Sequence, residues 1–443
     1  MNLYGPAPMR RREFLQWLGM AAGAAALAGR ARAQTVSPND KINVAHIGVG
    51  GMGSGHLGWF AAMPDVNIAA ICDVDSTRLD AAVATAKTLQ PNADVRGYRD
   101  FRHVLDRDDI DVVTCATPDH WHTLITTMAF EAGKDVYSEK PLCRTVAESH
   151  AMVEARQRYG RVFQLGTQIH AEDNYHRAVE LVRSGILGKI HTVRLWKTGG
   201  SPGLGFPADE APPPELDWEM WQGPTVRRPY TPVRCHFTFR YFWDYSGGNW
   251  ADFWCHIADI AFWALDLGQP KRIHARGATP TDGIADTPAT IDVDYEFDGL
   301  NLHWSTDIPD VPGADDRGIG CQFEGSEGSM VVDYGSRAIF LGGERLDDVP
   351  EVPQSIPRSP GHQRNFLDCV RSRGLTESNL DYAHNMTLPM LLGCISFRLQ
   401  RPLEWDAAAQ RFVGDATANR MLSTPYHQPW MLPQSTIFAG RES

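Results

Sequence analysis

The sequence contains cysteines but no closely spaced pairs of them. None of its eight cysteines stands in C-x-x-C spacing, and several lie inside apolar runs that resemble strands or helices. Disulfide frameworks and zinc sites use paired or clustered cysteines, so the pattern argues against both and favours buried free thiols. The positions are 72, 115, 143, 235, 255, 321, 369 and 394.

Long apolar runs, internal repeats and an excess of basic residues are also missing. No run of about 20 strongly apolar residues, the length that spans a bilayer, occurs in the sequence, so we predict no membrane anchor. The 42 Lys and Arg residues are outnumbered by 54 Asp and Glu residues, which argues against a nucleic-acid partner or an anionic membrane surface. A length of 443 residues allows two domains of ordinary size.

Residues 1–33 are typical of an export signal. An Arg11-Arg12 pair leads into a mildly apolar, Ala- and Gly-rich run that ends near Ala33, as in twin-arginine signals. Arg10 and Gln16 replace the usual Ser or Thr before the pair and the usual Lys after it. We predict cleavage after Ala33, passage through the twin-arginine translocase and a periplasmic or otherwise exported location. The segment carries five Arg and one Glu, so its removal changes the net charge from −12 to about −16.

A strand, a glycine-rich turn and a helical pattern follow the signal. The apolar strand at 42–47 runs directly into a G-x-G-x-x-G motif, which gives a dinucleotide site its tight turn, its close pyrophosphate approach and its helix packing. The pyrophosphate would bind at the N-terminus of the helix. The predicted cofactor contacts are Gly48, Gly50, Gly51, Met52 and Gly53.

The next predicted strand ends at an acidic residue, Asp73. A carboxylate at this position would accept hydrogen bonds from the adenosine ribose and repel a 2′-phosphate, which favours NAD over NADP. Arg78, five residues later, leaves NADP as an alternative.

Strand-like and helical runs then alternate, which predicts an α/β fold. Residues 34–165 would form a doubly wound parallel sheet of the Rossmann type with six strands. After a Pro- and Gly-rich excursion at 198–232, hairpin-like runs predict that residues 166–443 form an α+β domain with an open, largely antiparallel sheet and a C-terminal tail. Helices are predicted at 77–89, 122–132, 145–159, 172–184 and 252–265, and strands at 42–47, 66–72, 94–98, 111–116, 135–138, 162–165, 189–196, 289–297, 300–305, 320–324 and 329–333.

Several motifs resemble those of the Gfo/Idh/MocA oxidoreductase family over almost the whole chain after the signal. T-P-x-x-x-H begins at Thr117, E-K-P begins at Glu139, and Gly247-Gly248 precedes Asp252 and His256. The tail resembles that of exported members, which are similar to glucose-fructose oxidoreductase. The resemblance implies an NAD(P)-dependent oxidoreductase that acts on CH–OH groups of small carbohydrates and assembles into a homo-oligomer.

Lys140 is the first predicted catalytic residue. It follows a predicted strand and would lie at the carboxyl edge of the sheet, where ligands bind. Its ammonium could contact the cofactor and stabilise developing alkoxide charge on a sugar oxygen; a surface salt bridge with Glu139 is the alternative. The other predicted cofactor contacts are Thr117, His122, Glu139 and Gln168. Of these, His122 also suits packing at the start of its helix, and Gln168 suits a hydrogen bond at the domain junction.

Asp252 and His256 are spaced four residues apart in a helical pattern, so both can point into one cleft. We predict His256 as the general base, since imidazole titrates near neutral pH, with Asp252 orienting it or binding a sugar hydroxyl. Asp259 is a predicted substrate contact. A core histidine bonded to a helix neighbour is the alternative, and we predict no metal site because no further ligand cluster is evident.

Aromatic residues are concentrated before this helix. Trp243 could stack on a sugar ring, and Arg240 and Tyr245 beside it could supply polar contacts. Packing in the core is the alternative for each aromatic residue.

Export restricts the mechanism, because free NAD is not available outside the cytoplasm. The cofactor would have to be bound before export and held tightly. It would then be reoxidised by a second carbonyl substrate, or within a cycle of oxidation, elimination and reduction that cleaves a glycoside. The sequence therefore favours a periplasmic sugar oxidoreductase, with a redox-assisted NAD-dependent glycoside hydrolase or lyase and a non-catalytic carbohydrate-binding protein as alternatives.

Overall fold

The first sheet lies at the start of the described residues. The structure is a computed structural model that describes residues 40–349 and 351–433; the predicted signal and its cleavage site lie outside them. Six strands pair in parallel in the order β3-β2-β1-β4-β5-β6, which confirms the predicted doubly wound sheet. The strands are β1 Ile42–Ile47, β2 Val66–Cys72, β3 Arg96–Tyr98, β4 Val112–Cys115, β5 Asp135–Ser138 and β6 Phe163–Leu165.

Helices cover both faces of this sheet, which explains why its central strands are largely apolar and almost entirely buried. The second helix begins after Asp75, whose side chain accepts hydrogen bonds from the backbone N–H groups of Thr77 and Arg78. A capping box between Thr145 and Glu148 starts the fifth helix. The helices are α1 Gly51–Ala61, α2 Ser76–Leu89, α3 Arg102–Leu105, α4 His122–Glu131 and α5 Val146–Tyr159.

The second sheet is open and largely antiparallel, as predicted. Its ten strands run in the order β14-β13-β12-β11-β7-β10-β9-β8-β15-β16, and only β7 and β10 pair in parallel. The strands are β7 Ile190–Lys197, β8 Arg272–Ala278, β9 Thr290–Phe297, β10 Leu300–Ser305, β11 Ile319–Gly325, β12 Gly328–Val332, β13 Arg337–Leu341, β14 Glu344–Arg345, β15 Leu403–Asp406 and β16 Arg411–Phe412.

Six α-helices follow β6 in the described part of the chain. One of them packs on β7 and β11 and begins at Gly248 rather than at residue 252, so Asp252 and His256 lie within it. The helices are α6 Asp173–Arg183, α7 Trp218–Gln222, α8 Gly248–Leu265, α9 His362–Ser372, α10 Leu380–Leu399 and α11 Ala416–Arg420.

The C-terminal helices return to the first sheet. Phe366 and Leu367 of α9 are buried in one core with Val44 of β1 and Tyr137 of β5, and α10 packs against α5. The two sequence segments therefore share their cores, which fixes the position of α8 relative to the carboxyl edge of the first sheet.

Two predictions about the whole chain can be compared with the described residues. All eight cysteines are free thiols, and all are buried except the partly exposed Cys235, in agreement with the sequence. No helix in the described ranges has the length and apolar character needed to cross a bilayer.

Candidate active site

Glycine shapes the turn between β1 and α1. Gly48 has a φ of +80°, and a Cβ there would lie 2.7 Å from the carbonyl carbon of Ala116. A Cβ on Gly53 would lie 2.0 Å from the Gly48 carbonyl oxygen, so both positions require glycine. Gly51, in contrast, has no atom within 4 Å of its Cβ position and faces the cleft. Gly50 is the N-cap residue of α1 and has no side chain to bond to the first backbone N–H groups of the helix. The helix N-terminus is therefore open to a pyrophosphate.

Asp73 and Arg78 line the end of the cleft where an adenosine ribose would lie. The Asp73 carboxylate accepts hydrogen bonds of 2.9 Å from the backbone N–H groups of Val49 and Asp75. These bonds fix the carboxylate and leave lone pairs for ribose hydroxyls. The Arg78 guanidinium reaches across Gly50, where a Cβ would lie 2.4 Å from its Nη1. Both the carboxylate that favours NAD and a cation that could bind a 2′-phosphate are therefore present.

Residues after the second sheet's first strand form the opposite wall of the cleft. The backbone N–H of Asp217 donates to the Val74 carbonyl at 3.0 Å, and His236 Nε2 lies 3.1 Å from Asp75 Oδ2. The cleft has a volume of about 420 Å³, which suits a small-molecule site. Its lining from this wall includes Met220, Trp221, His236, Phe237, Phe239 and Arg240.

Lys140, Asp252 and Arg240 form a buried ionic cluster at the other end of the cleft. Lys140 Nζ donates to Asp252 Oδ1 at 2.6 Å, and Arg240 Nε lies 3.2 Å from Asp252 Oδ2. Burial acts to lower the pKa of Lys140, but the carboxylates of Asp252 and Glu139 outweigh it and the pKa is raised. Burial opposes ionisation of Asp252 as well, yet Lys140 and Arg240 hold the pKa of its carboxyl well below the usual range. The cluster thus keeps a fixed ammonium at the end of the cleft.

Glu139 is buried behind Lys140 rather than paired with it on the surface. Its Oε1 accepts hydrogen bonds of 2.8 Å from His56 Nε2 and Gln168 Nε2. Burial acts to raise the pKa of Glu139, but the contact with His56 outweighs it and lowers the pKa to about 2. Glu139 lines the cleft, whereas Gln168 takes the junction role that the sequence left open. Together with His56 of α1 they hold the E-K-P loop against the glycine turn.

His256 lies one helical turn after Asp252 and is half-buried. Burial, followed by the charge of Lys140, lowers its pKa to about 4, so the imidazole is neutral at pH 7 and can accept a proton. Its Nδ1 is buried and has no hydrogen-bond partner in the described part of the chain. Asp252 bonds to the two cations instead of orienting the imidazole.

The T-P-x-x-x-H motif contributes mainly to the framework. Thr117 lines the cleft, but His122 is fully buried and does not. Its two ring nitrogens lie 2.7 Å from the Pro141 carbonyl oxygen and 3.0 Å from the Thr117 carbonyl oxygen. His122 therefore ties the motif to the E-K-P loop instead of contacting a cofactor.

Asp259 does not reach the cleft. It is 1% exposed, and its carboxylate lies 2.9 Å from His170 Nδ1 and accepts a hydrogen bond of 2.7 Å from the Tyr382 hydroxyl. The residue lies nearly two helical turns beyond Asp252, so it shares the helix but not the ionic cluster. The structure gives it a structural role in place of the predicted substrate contact.

Trp243 and Tyr245 also lie away from the cleft. Trp243 packs against Phe397 and carries the Arg398 guanidinium over its ring. Tyr245 is fully buried beside Trp221. Tyr245 adopts the core role that is the alternative in the sequence, and the partly buried Trp243 packs against the core, whereas Arg240 reaches the site.

The wall formed by Met220, His236 and Phe237 was missed by sequence reasoning. These residues lie in or just after the Pro- and Gly-rich excursion, where no periodic pattern indicates which side chains face inward. The closely spaced Trp218 and Trp221 were the available signal, since stacked aromatic rings in such a segment indicate a packed structure. No group of three or more His, Cys, Asp or Glu residues able to hold a metal ion occurs within residues 40–349 and 351–433.

Solved structures share this fold at low sequence identity. The WlbA dehydrogenase from Chromobacterium violaceum, crystallised with NADH and UDP-GlcNAcA, aligns with a TM-score of 0.63 and 17% identity over 85% of this chain and 99% of its own. An aldose-aldose oxidoreductase from Caulobacter crescentus, crystallised with glycerol, aligns with a TM-score of 0.60 and 19% identity over 82% of this chain and 99% of its own.

Sequence relatives carry a different name. A glycosyl hydrolase family 109 protein from Shewanella pealeana is 32% identical over 154 residues, or 34% of each chain. Another from a Shewanella species, strain ANA-3, is 30% identical over 203 residues, 41% of this chain and 44% of its own. This chain therefore matches less than half the length of these relatives.

Two family models cover most of the chain. Residues 42–167 match an oxidoreductase family's NAD-binding Rossmann fold, and residues 177–432 match the C-terminal alpha/beta domain of the same family. With the glycine turn, the E-K-P loop and the helix that carries Asp252 and His256, these matches show that the chain is an NAD-binding member of the Gfo/Idh/MocA oxidoreductase family.

Proposed function

We propose that this protein is an exported oxidoreductase that transfers hydride between tightly bound NAD and a sugar or sugar derivative. The observation that carries the proposal is the ionic cluster: an ammonium, Lys140, is fixed by Asp252 at the end of the NAD cleft, and the neutral imidazole of His256 lies one turn away on the same helix. Fold neighbours crystallised with a sugar nucleotide or named for aldoses support a carbohydrate substrate.

The residues of the cluster divide the chemistry of alcohol oxidation. NAD in the cleft supplies the acceptor for the hydride that leaves the carbinol carbon. The Lys140 ammonium binds the substrate oxygen and stabilises the negative charge that develops there. The neutral His256 accepts the hydroxyl proton as the C=O bond forms. Asp252 keeps Lys140 in place, and Arg240 would contact neighbouring hydroxyls.

Cofactor retention is supported by the wall that covers the cleft. Trp221 and Phe237 line it opposite the glycine turn, and the His236–Asp75 contact closes it beside Asp73. Contacts from this wall as well as from the glycine turn would slow dissociation of a dinucleotide, which suits an enzyme that works outside the cytoplasm after twin-arginine export. Assembly into a homo-oligomer is part of the same proposal.

A redox-assisted glycoside hydrolase is the second candidate, and the glycosyl hydrolase relatives favour it. In this cycle a ring CH–OH group would first give its hydride to NAD as its hydroxyl loses a proton, and the resulting ketone would make the proton on the adjacent ring carbon acidic. His256 would remove it, Lys140 would stabilise the enolate, and the aglycone would leave. Addition of water and return of the hydride complete a cycle with no net redox change.

The first experiment determines whether the cofactor is retained. The full chain with its signal is expressed, the exported fraction is purified without added nucleotide, and the denatured supernatant is assayed for NAD(H) and NADP(H). We expect close to one NAD(H) per chain, and a His236→Ala variant purified in parallel should carry less. A wild-type protein with no nucleotide and no uptake on incubation would contradict the proposal, and a signal-bearing chain that stays in the cytoplasm would contradict export.

The second experiment separates the two enzymes. The purified protein is mixed with a panel of aldoses while the fluorescence of bound NADH is followed, and with p-nitrophenyl glycosides while nitrophenolate is followed, both without added cofactor. Reduction of bound NAD by an aldose supports the oxidoreductase, whereas catalytic release of nitrophenolate supports the hydrolase. Lys140→Ala should slow either reaction by roughly 10²–10³-fold, and the exposed Lys271→Ala should leave both rates unchanged.

A further inference from the structure

Tyr334 lies in the turn at residues 333–336, which several hydrogen bonds stabilise, and its side chain points toward the candidate active site. The turn joins β12 to β13, and the Asp333 carboxylate accepts bonds from the backbone N–H groups of Gly335 and Ser336. The Asp333 carboxylate also pairs with Arg317. The backbone carbonyl oxygen of Asp333 accepts a hydrogen bond of 2.8 Å from Asn174 Nδ2. The turn is therefore fixed from three sides.

The side chain that this turn presents reaches His256. The Tyr334 and His256 rings lie edge to face, with centroids 6.0 Å apart. The neighbouring Tyr175 hydroxyl donates to the His256 carbonyl at 2.9 Å, so the backbone of α8 is fixed at the same point.

Both facing side chains carry a buried polar atom that lacks a partner. The Tyr334 hydroxyl and His256 Nδ1 are each shielded from solvent, and neither makes a hydrogen bond to any residue that the structure describes. An unpaired buried polar atom costs free energy, and two such atoms on adjacent rings beside a catalytic cluster call for an explanation. A hydrogen bond between the two atoms would give each of them a partner.

We infer that Tyr334 is a positioning residue, whose hydroxyl oxygen accepts a hydrogen bond from the Nδ1–H of His256 when the site is engaged. Neutral imidazole carries one N–H, so a proton held at Nδ1 leaves the lone pair on Nε2. Nε2 is not among the buried unpaired atoms, and it is the nitrogen able to accept the substrate proton. Tyr334 would thus select the reactive tautomer, and this role rests on the proposed function of His256 as the base.

The direct test observes the tautomer and needs no substrate. The full-length NAD-loaded protein is labelled with ¹⁵N-histidine, the His256 signals are assigned with a His256→Asn variant, and the shifts of both ring nitrogens are measured at pH 7 in wild type and Tyr334→Phe. We expect Nδ1 to be protonated in wild type and Tyr334→Phe to shift population toward the Nε2–H form. Tyr159→Phe is the matched control and should leave the shifts unchanged. Identical His256 shifts in wild type and Tyr334→Phe would overturn the inference.

A kinetic test applies once a turnover assay exists. Tyr334→Phe keeps the ring and its packing, so we expect an unchanged melting temperature, a roughly tenfold lower kcat and a shifted acid limb of the pH profile. The other charged groups that face His256 are Lys140, Asp252, Glu139 and Asp259, and all remain in this variant. A higher KM with kcat and the pH profile unchanged would overturn the inference and make Tyr334 a substrate contact. A wild-type protein without turnover would contradict the proposed function alone, because the tautomer measurement is independent of it.

Discussion

The two halves of the cleft are built in different ways. In the cofactor half, Gly48, Gly53 and Asp73 belong to one strand–helix–strand unit, and their roles follow from backbone geometry. In the substrate half, Lys140, Arg240 and the residues of α8 come from three separate segments and are held together by charge. The comparison teaches that a local motif is sufficient to place the phosphate and ribose contacts of a nucleotide site, whereas a proton-transfer site requires long-range packing.

The largest expected effect comes from removing the ammonium at the centre of the substrate half. Lys140→Ala should lower kcat by roughly 10²–10³-fold, the usual effect of losing a group that stabilises developing oxyanion charge. Bound NAD should remain close to the wild-type amount, because the glycine turn is untouched. Steady-state kinetics and nucleotide content after denaturation measure the two effects.

The matched control for this change is Lys271→Ala. Lys271 is exposed and pairs only with Asp298 among the described residues, so kcat should remain unchanged. If Lys140→Ala instead lost its NAD while keeping turnover on added cofactor, Lys140 would serve cofactor binding rather than the chemistry of the substrate half.

The converse change breaks the cofactor half. In Gly53→Ala the new Cβ would overlap the Gly48 carbonyl oxygen, so the turn must open and NAD content should fall at least tenfold. Gly58→Ala is the control in the same helix, because its Cβ meets no atom within 4 Å and alanine favours a helix. Nucleotide analysis and thermal melting of both variants check this, and equal NAD content in the two would contradict the steric argument.

The same contrast explains how much the sequence could predict. The glycine turn, the parallel sheet and the Lys140 position follow from local patterns, and the structure places Lys140, Asp252 and His256 together. The sequence wrongly predicts that Asp259 joins them. Helical spacing shows which residues share a face of α8, but it does not show which other elements pack against each part of that face. The wall around His236 was missed because irregular backbone carries no periodicity.

Nucleotide choice tests the balance between Asp73 and Arg78. Asp73→Asn removes the charge that repels a 2′-phosphate, so the NAD to NADP preference should fall about tenfold. Arg78→Ala should change the preference in the opposite direction. Equilibrium binding of both nucleotides to stripped protein provides the measurement, and an unchanged ratio in Asp73→Asn would show that neither side chain decides the choice.

The pH dependence reports on the base. His256 has a pKa of about 4, so kcat/KM should be flat near neutrality and fall about tenfold per pH unit below about 4, where the imidazole is protonated. The folded pKa lies below the ordinary value of 6.5, so the unfolded chain takes up the proton first. The stabilising contribution of the neutral His256 to the free energy of unfolding is therefore fully present above pH 6.5, and it is lost as the pH falls through 4. Circular dichroism at each pH separates loss of fold from loss of base, and a kcat/KM limb near 6.5 would argue for an exposed histidine.

The smallest expected effect on activity is at Asp259, which lies on the same helix as Asp252 but in a different environment. Asp259→Asn keeps the shape of the side chain while removing the charge, so the bonds to His170 and Tyr382 weaken. We expect a lower melting temperature with kcat/KM changed less than twofold. Asp252→Asn should instead lower kcat/KM with little change in the melting temperature, because the Asp252 carboxylate fixes Lys140. If Asp259→Asn lost activity while keeping the wild-type melting temperature, the substrate half would extend along α8 beyond His256. Asp259 would then belong to the site and not to the structural core.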